Sequence, residues 1–203
     1  LAWVHAKKII AIDVGNSETT VGVGNSDAWV GYRFTTRKTI TSDELLMMFK
    51  TIIDIKPLKE NSIDGAIICS VVPQITNSVA LATSKFISKD AIVVGPGVKT
   101  GLKVNIDNPK ELGPDRIANS IGGYIKTGSS VIVVDLGTAT TFDLVNEKKE
   151  YLGGSIAPGI KVSLDALTSK TSSLKSVELE MPKNVVGKNT YEAIQSGLIL
   201  GHT

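Results

Sequence analysis

Hydrophobic positions along this chain come in short β-branched runs separated by turn formers. The run Ile9-Ile10-Ala11-Ile12 leads into Asp13-Val14-Gly15-Asn16-Ser17, which predicts a buried strand ending in a turn. Residues 19–23 and 29–35 predict two more strands, with Gly24-Asn25-Ser26-Asp27 as the turn between them, so the chain opens as a three-stranded meander. Thr41 with Glu44 three residues on forms a capping box, and Leu45, Leu46, Phe49, Ile52 and Ile53 keep helical spacing behind it. Residues 66–72 predict a buried strand ended by Pro73. Residues 74–87 predict a helix with Ile75, Val79, Ala82 and Phe86 on one stripe, and 91–94 a further buried strand. The order is βββαβαβ, an α/β pattern in which continuous apolar strands separated by helices imply a sheet covered on both faces.

Beyond a loop containing Pro96 and Pro109, Gly113-Pro114-Asp115-Arg116 opens a helix carrying Ile117, Ile121, Tyr124 and Ile125. Pro in the first turn and Asp at the positive end of the helix dipole are start signals. The opening pattern then returns. Val131-Ile132-Val133-Val134-Asp135-Leu136-Gly137-Thr138-Ala139-Thr140-Thr141 lies over residues 9–19 at a constant offset of 135 − 13 = 122 residues, matching Asp to Asp, Gly to Gly and Thr to Thr. An apolar strand ending in Asp-x-Gly, present twice and each time beginning a meander, predicts two like domains facing each other across a cleft.

Charge narrows the partners. Lys and Arg total 22 against 20 Asp and Glu, and a net charge of +2 supplies no basic field for a phosphate backbone, so nucleic acid is not an expected partner. Apolar residues at 42% and charged residues at 21% are ordinary globular usage, and the longest apolar runs fall far short of the ~18 residues of a membrane helix. The single cysteine, Cys69, excludes a disulfide within the chain and reads as a small buried hydrophobe. His5 and His202, at opposite ends and without carboxylate or Cys neighbours at ligand spacing, read as solvated. The first residues lack the order of a secretion signal, which makes the cytoplasm the expected compartment.

The candidate chemistry lies in the repeated turns. Asp13-Val14-Gly15-Asn16-Ser17-Glu18-Thr19-Thr20 is rich in small polar groups, and Gly15 lets backbone amides approach an anion closely. One such turn is ordinary hairpin chemistry; two with an Asp at each strand end are harder to explain that way. Asp13 and Asp135 would repel phosphate unless a cation lies between, so the pair implies magnesium or another cation bridging to a nucleotide. Neither turn is a Walker sequence or a Gly-x-Gly-x-x-Gly fingerprint. Asn189-x-x-Glu192 is a capping box, which leaves Thr190 readable as simply the first residue of a helix.

The two turns and the element order resemble the sugar kinase, actin and Hsp70 superfamily. More finely, Asp13-x-Gly15-Asn16-Ser17, Ser70-Val71-Val72-Pro73, Gly113-Pro114-Asp115-Arg116, Asp135-x-Gly137-Thr138-Ala139-Thr140-Thr141, Gly153-Gly154-x-Ile156-x-Pro158-Gly159 and Thr190-x-x-Ala193-Ile194-x-x-Gly197 resemble, in order, the motifs of type III pantothenate kinases. The resemblance implies two ribonuclease H-like (actin-like ATPase) domains, over 7–112 and 113–203, each a mixed sheet of βββαβαβ order with flanking helices. It implies ATP-dependent phosphorylation of pantothenate, the first step towards coenzyme A.

Site residues follow from the same resemblance. Asp13, Val14, Gly15, Asn16, Ser17, Glu18, Thr19 and Thr20 would form the phosphate loop, with Asp13 holding magnesium directly or through water, and Thr138 would contact ATP. Asp135 resembles a ligand of an activating monovalent cation, potassium or ammonium. Asp115 resembles the general base, with Gly113, Pro114 and Arg116 forming the pantothenate pocket, and Thr190 a substrate contact supplied by the neighbouring subunit of a homodimer. Gly153-Gly154 and Pro158-Gly159 read as turns in which backbone comes close to nucleotide or substrate. Two departures stand out: Ile106 occupies a position where the family often has a pantothenate-contacting tyrosine, and the family's chain continues past the position of Thr203, implying a second domain truncated at its C-terminus. A non-enzymatic accessory factor of the same fold would not need Asp115 and Arg116, and a chaperone-type ATPase would not need a small-molecule pocket beside them.

Overall fold

A computed structural model describes residues 8–25, 28–55 and 63–202, with backbone only over 53–55. His5 and the turn residues Ser26 and Asp27 lie outside the described residues. The chain divides into two compact units, the first running to Leu102 and resuming over Asp107–Ile121, the second made of Lys103–Ile106 and the chain from Gly122 onward.

The first unit contains strands β1 (Lys8–Val14), β2 (Glu18–Gly24) and β3 (Trp29–Thr35), helix α1 (Ser42–Ile55), strand β4 (Ile63–Ser70), helix α2 (Pro73–Ile87) and the short strand β5 (Ile92–Val93). The sheet order is β3-β2-β1-β4-β5; β1 runs antiparallel to β2 and parallel to β4. Its alternating positions explain the sequence pattern. Ile10, Ile12 and Val14 of β1 and Val21 and Val23 of β2 are buried with Leu45, Phe49 and Ile52 of α1 and with Ile75, Val79 and Phe86 of α2. The rings of Phe49 and Phe86 meet edge to face at 6.0 Å between centroids, a favourable aromatic geometry. The capping box forms as expected: the Thr41 amide donates to Glu44 Oε2 at 2.9 Å, and the Glu44 amide donates to Thr41 Oγ1 at 3.2 Å. Those hydrogen bonds hold the Glu44 carboxyl below its ordinary pKa. The strand predicted over 66–72 runs instead from Ile63 to Ser70, because the Ser70 hydroxyl accepts from the Val72 amide at 3.3 Å and turns the chain toward Pro73 at the start of α2.

The second unit contains strand β6 (Lys103–Val104), the end of helix α3 (Pro114–Thr127), strands β7 (Val131–Leu136), β8 (Ala139–Val145) and β9 (Glu150–Pro158), and helices α4 (Ile160–Lys170) and α5 (Thr190–Ile199). Its mixed sheet is ordered β6-β9-β8-β7, with β7, β8 and β9 an antiparallel meander and β6 parallel to β9. The meander repeats, but the full order βββαβαβ does not: among the described residues no strand follows α4 or α5. Gly153 and Gly154 correct a second expectation. They lie inside β9 rather than in a turn, beside a register shift at Leu144/Val145, and Gly153 takes φ +121°, a conformation that side-chain-bearing residues rarely adopt.

One face of this sheet also departs from expectation. Ile132, Val134 and Leu136 of β7 share a face with Leu144 and Phe142 of β8, the register partners of Ile132 and Val134, and all five are exposed, by between 38% and 70%. The opposite face is covered: a Cβ on Gly123 of α3 would stand 2.6 Å from Val133 Cγ2, so the helix approaches β7 through a glycine. Gly122, its neighbour, would meet nothing within 4 Å, and the division between the units falls just before it.

The two glycines therefore respond oppositely to a methyl group. Gly122→Ala should stabilise the protein by about 0.5–1 kcal/mol through helix propensity alone, whereas Gly123→Ala should cost about 1–3 kcal/mol by overpacking against Val133. Urea denaturation midpoints for the two variants measure both, and equal shifts would show that α3 does not pack on β7 through Gly123.

Candidate active site

The first repeated turn is a tight three-residue loop, Gly15-Asn16-Ser17, between β1 and β2. The Gly15 amide donates to the Glu18 carbonyl at 3.0 Å, and a Cβ on Gly15 would lie 2.9 Å from that oxygen, so the turn requires glycine. Its shape is fixed from outside. Thr36, just past β3, receives its backbone bond from the loop by donating its amide to the Ser17 carbonyl at 2.9 Å; its hydroxyl reaches the Gly15 carbonyl at 2.8 Å and the buried Thr19 hydroxyl at 2.8 Å. Thr36 was not among the residues expected from sequence. Asn16, Ser17 and Glu18 are left exposed at the tip.

Asp13 stands one residue before the end of β1 and is exposed, opposite Thr20 on β2 and Cys69 on β4. A pocket of about 290 Å³ opens here within the first unit, and Asp13, Thr20 and Cys69 line it together with Asp115, Ala118 and Asn119 of α3. The spacing of the last three, i, i+3 and i+4, places them on one helix face. Asp115 is held at the helix start, its Oδ1 accepting from the Arg116 amide at 2.8 Å, and a Cβ on Gly113 would run into that same oxygen. The lining carries two carboxylates and no Lys, Arg or His. Cys69 fits the inert reading but not as an anonymous core residue: burial first, then the negative charges of Asp13 and Asp115, push its thiol well above the usual range, so it stays protonated in the pocket wall.

The second turn is one residue shorter. Gly137-Thr138 alone joins β7 to β8, with the Gly137 amide donating to the Ala139 carbonyl at 3.0 Å. Asp135 therefore pairs with Thr141, as Asp13 pairs with Thr20, and the sequence match of Thr19 with Thr141 slips by one position in space. Thr138 is exposed at the turn, and its carbonyl accepts from the Gly159 amide at 3.0 Å. A Cβ on Gly159 would collide with the carbonyls of Gly137 and Thr138, so Pro158-Gly159 is no free turn; it ends β9, caps α4 and clamps the Asp135 turn from behind. His202 is not solvated as expected. Its Nε2 bonds the buried Thr140 hydroxyl at 2.9 Å, satisfying a polar group that would otherwise be orphaned.

Thr190 is the first residue of α5 and exposed. Asn189 caps the helix, its Oδ1 accepting from the Glu192 amide at 2.9 Å, while Glu192 Oε2 accepts from the Lys188 amide at 3.0 Å. Beside it runs an apolar groove of about 530 Å³ lined by Leu167, Leu174, Ile194 and Leu198. Ile106 lies against Gly153, 3.9 Å from where its Cβ would be. Among the described residues no three His, Cys, Asp or Glu side chains cluster as a metal cage. Single carboxylates such as Asp13 suit magnesium, which takes one or two carboxylates and completes its shell with phosphate and water.

Comparison with known proteins now adds to this geometry. Residues 9–203 match the family model described as type III pantothenate kinase. A type III pantothenate kinase of Halalkalibacterium halodurans is 44% identical over 195 residues, 96% of this chain and 77% of that protein. One from Geobacillus sp. strain WCH70 is 42% identical over 96% of this chain and 76% of its own. Among solved structures, an Aquifex aeolicus Ppx/GppA phosphatase aligns at a TM-score of 0.46 and 13% identity, over 93% of this chain and 60% of that one.

The bracing of the first turn is testable apart from catalysis. Thr36→Val keeps shape and the amide bond to the Ser17 carbonyl but takes one partner each from the Gly15 carbonyl and the Thr19 hydroxyl, and should cost about 1–3 kcal/mol. Thermal denaturation should show a drop of several degrees, with ATP affinity lowered; an unchanged melting temperature would mean the turn holds its shape without Thr36.

Proposed function

We propose that this chain, which belongs to the type III pantothenate kinase family, carries out the family's reaction with the pocket shared by Asp13 and Asp115 at its centre. The activity is ATP-dependent phosphorylation of pantothenate in coenzyme A biosynthesis. The observation that carries the site assignment is that the strand end of the phosphate turn and the start of α3 line one pocket within a single unit. Phosphoryl transfer asks little covalent work of a protein, so positioning and charge neutralisation dominate.

Asp115 is the general base. Its Oδ1 is held by the Arg116 amide, which leaves Oδ2 to take the proton of the attacking hydroxyl. Gly113, Pro114 and Arg116 form the pantothenate pocket around it, with the Arg116 side chain fixing the acceptor. The turn from Asp13 through Val14, Gly15, Asn16, Ser17, Glu18 and Thr19 to Thr20 holds the phosphates, and Thr138 contacts ATP. Asp13 holds magnesium, directly or through water, and Asp135 a monovalent cation, potassium or ammonium; bound there, such ions supply positive charge against the phosphates. The two units are read as ribonuclease H-like, actin-like ATPase domains working in the cytoplasm. No helix among the described residues is long and apolar enough to cross a membrane.

The working unit is a homodimer in which Thr190 completes the partner's pantothenate site. The exposed Thr190 at the mouth of the apolar groove beside α5 supports this reading, since a two-fold contact would cover that groove and bring the threonine to a second copy.

Two experiments decide these assignments. Asp115→Asn keeps shape and removes proton affinity, so kcat should fall about 100-fold or more with little change in pantothenate binding; retention of more than about a tenth of the rate would rule out general-base catalysis at this residue. Mixing Asp115→Asn subunits with Thr190→Arg subunits, each inactive alone, should restore about a quarter of wild-type activity, because random pairing makes half the dimers mixed and each mixed dimer has one intact site. No recovery after confirmed subunit exchange would place Thr190 in its own chain's site or in helix capping alone.

A further inference from the structure

The two repeated turns share an Asp and a cross-strand Thr, yet their surroundings differ at one position. In the first unit, Asp13 faces Thr20, and two residues further along β2 stands Gly22, paired with Gly31 of β3. In the second, Asp135 faces Thr141, and two residues further along β8 stands Asp143, paired with Gly154 of β9. Asp143 is fully buried. Its Oδ2 accepts the Thr141 hydroxyl at 3.2 Å and its Oδ1 accepts the Tyr151 hydroxyl at 2.7 Å, from a tyrosine that is itself buried. A buried carboxylate is costly even when hydrogen-bonded, and nothing in the proposed phosphoryl transfer uses this one.

Its effect on Thr141 gives it a task. A threonine hydroxyl has one proton and two lone pairs. With the proton donated to Asp143, the oxygen can act toward a further group only as an acceptor. Directly opposite residues of an antiparallel pair carry their side chains on the same face, with Cβ atoms about 4.5–5.5 Å apart, so this oxygen stands beside the Asp135 carboxylate. An anion or a hydrogen-bond acceptor gains nothing from such a pair; a cation gains two oxygen ligands. In the first unit no carboxylate occupies the matching position, and Thr20 keeps its hydroxyl proton available to a phosphate oxygen.

We propose that Thr141 is a second oxygen ligand of the monovalent cation at Asp135, and that Asp143, oriented by Tyr151, is a positioning residue that fixes its hydroxyl with the lone pairs outward. This rests on the reading of Asp135 as a cation ligand. One buried carboxylate thus separates the tasks of the two turns, the first facing phosphate with hydroxyl and amide donors, the second facing a cation with oxygen acceptors.

The test follows potassium by two readouts, the rise in melting temperature with potassium at constant ionic strength, sodium making up the balance, and the potassium concentration that half-activates the enzyme. Thr141→Val is isosteric and removes the oxygen; it should raise both half-saturation values about tenfold or more, the usual scale for losing or misorienting a metal ligand, on top of a lower melting temperature in sodium alone, because the buried Asp143 loses a donor. Thr141→Ser, which retains the hydroxyl, should stay near wild type, and Tyr151→Phe should shift the same values in the same direction by a smaller factor. A Thr141→Val protein whose potassium half-saturation matches wild type, while Asp135→Asn abolishes the response, would overturn the ligand role and leave the Thr141 and Asp143 pair as structure alone. If wild-type protein responds equally to sodium and potassium, the cation reading of Asp135 itself falls and this proposal with it.

Discussion

Two carboxylates, Asp13 and Asp115, share the lining of one small pocket with no cationic side chain among its walls. Like charges brought together at reduced dielectric repel strongly, and the fold offers no lysine or arginine there to offset them. Much else at the site follows from this. The thiol beside them, raised first by burial, is pushed further towards its protonated form by these charges. Asp115 is oriented by a backbone amide, that of Arg116, which fixes the carboxylate without the full charge of a salt bridge.

The fold was legible where the signal was local and periodic. β1, β2, β3 and the Thr41 capping box were readable because alternation and a three-residue cap are written in adjacent positions. The candidate site was legible as residue types at strand ends and a helix start. What escaped the sequence is bonded over distance or shares its composition with something else. Thr36 braces a loop some twenty positions upstream, and His202 satisfies Thr140 across sixty-two, so no local pattern marks either. Gly153 and Gly154 read as a turn because glycine serves bends and strand irregularities alike; only the positive φ of Gly153 distinguishes them. Cys69 was legible as inert, but its place in the pocket wall depends on the register of β1 against β4, which the sequence does not print.

The internal repeat carries a similar lesson. A constant offset aligned the two Asp-x-Gly turns residue for residue, and the first strand of each meander obeys it. Past the glycine it fails, because a three-residue turn in one copy faces a two-residue turn in the other, and a one-residue change moves every later side chain to the opposite face unless the register moves with it. Here the register moved, so Thr20 and not Thr19 is the counterpart of Thr141. Equivalent positions in a duplicated fold are set by hydrogen-bond pairing, not by a constant offset in sequence.

The exposed apolar face of the second sheet bears on how that sheet breathes. Ile132, Val134, Leu136, Phe142 and Leu144 meet water, so separating β7 from β8 exposes less new apolar surface than separating β1 from its neighbours. Strands with less to lose open more often, and their amide protons exchange through smaller fluctuations. Any ligand that grips the closed Asp135 turn is thermodynamically tied to that opening: at a hundred times its dissociation constant it adds about 2.7 kcal/mol to the closed form. Occupancy of that turn by a ligand thus acts as a setting on the rigidity of the second unit.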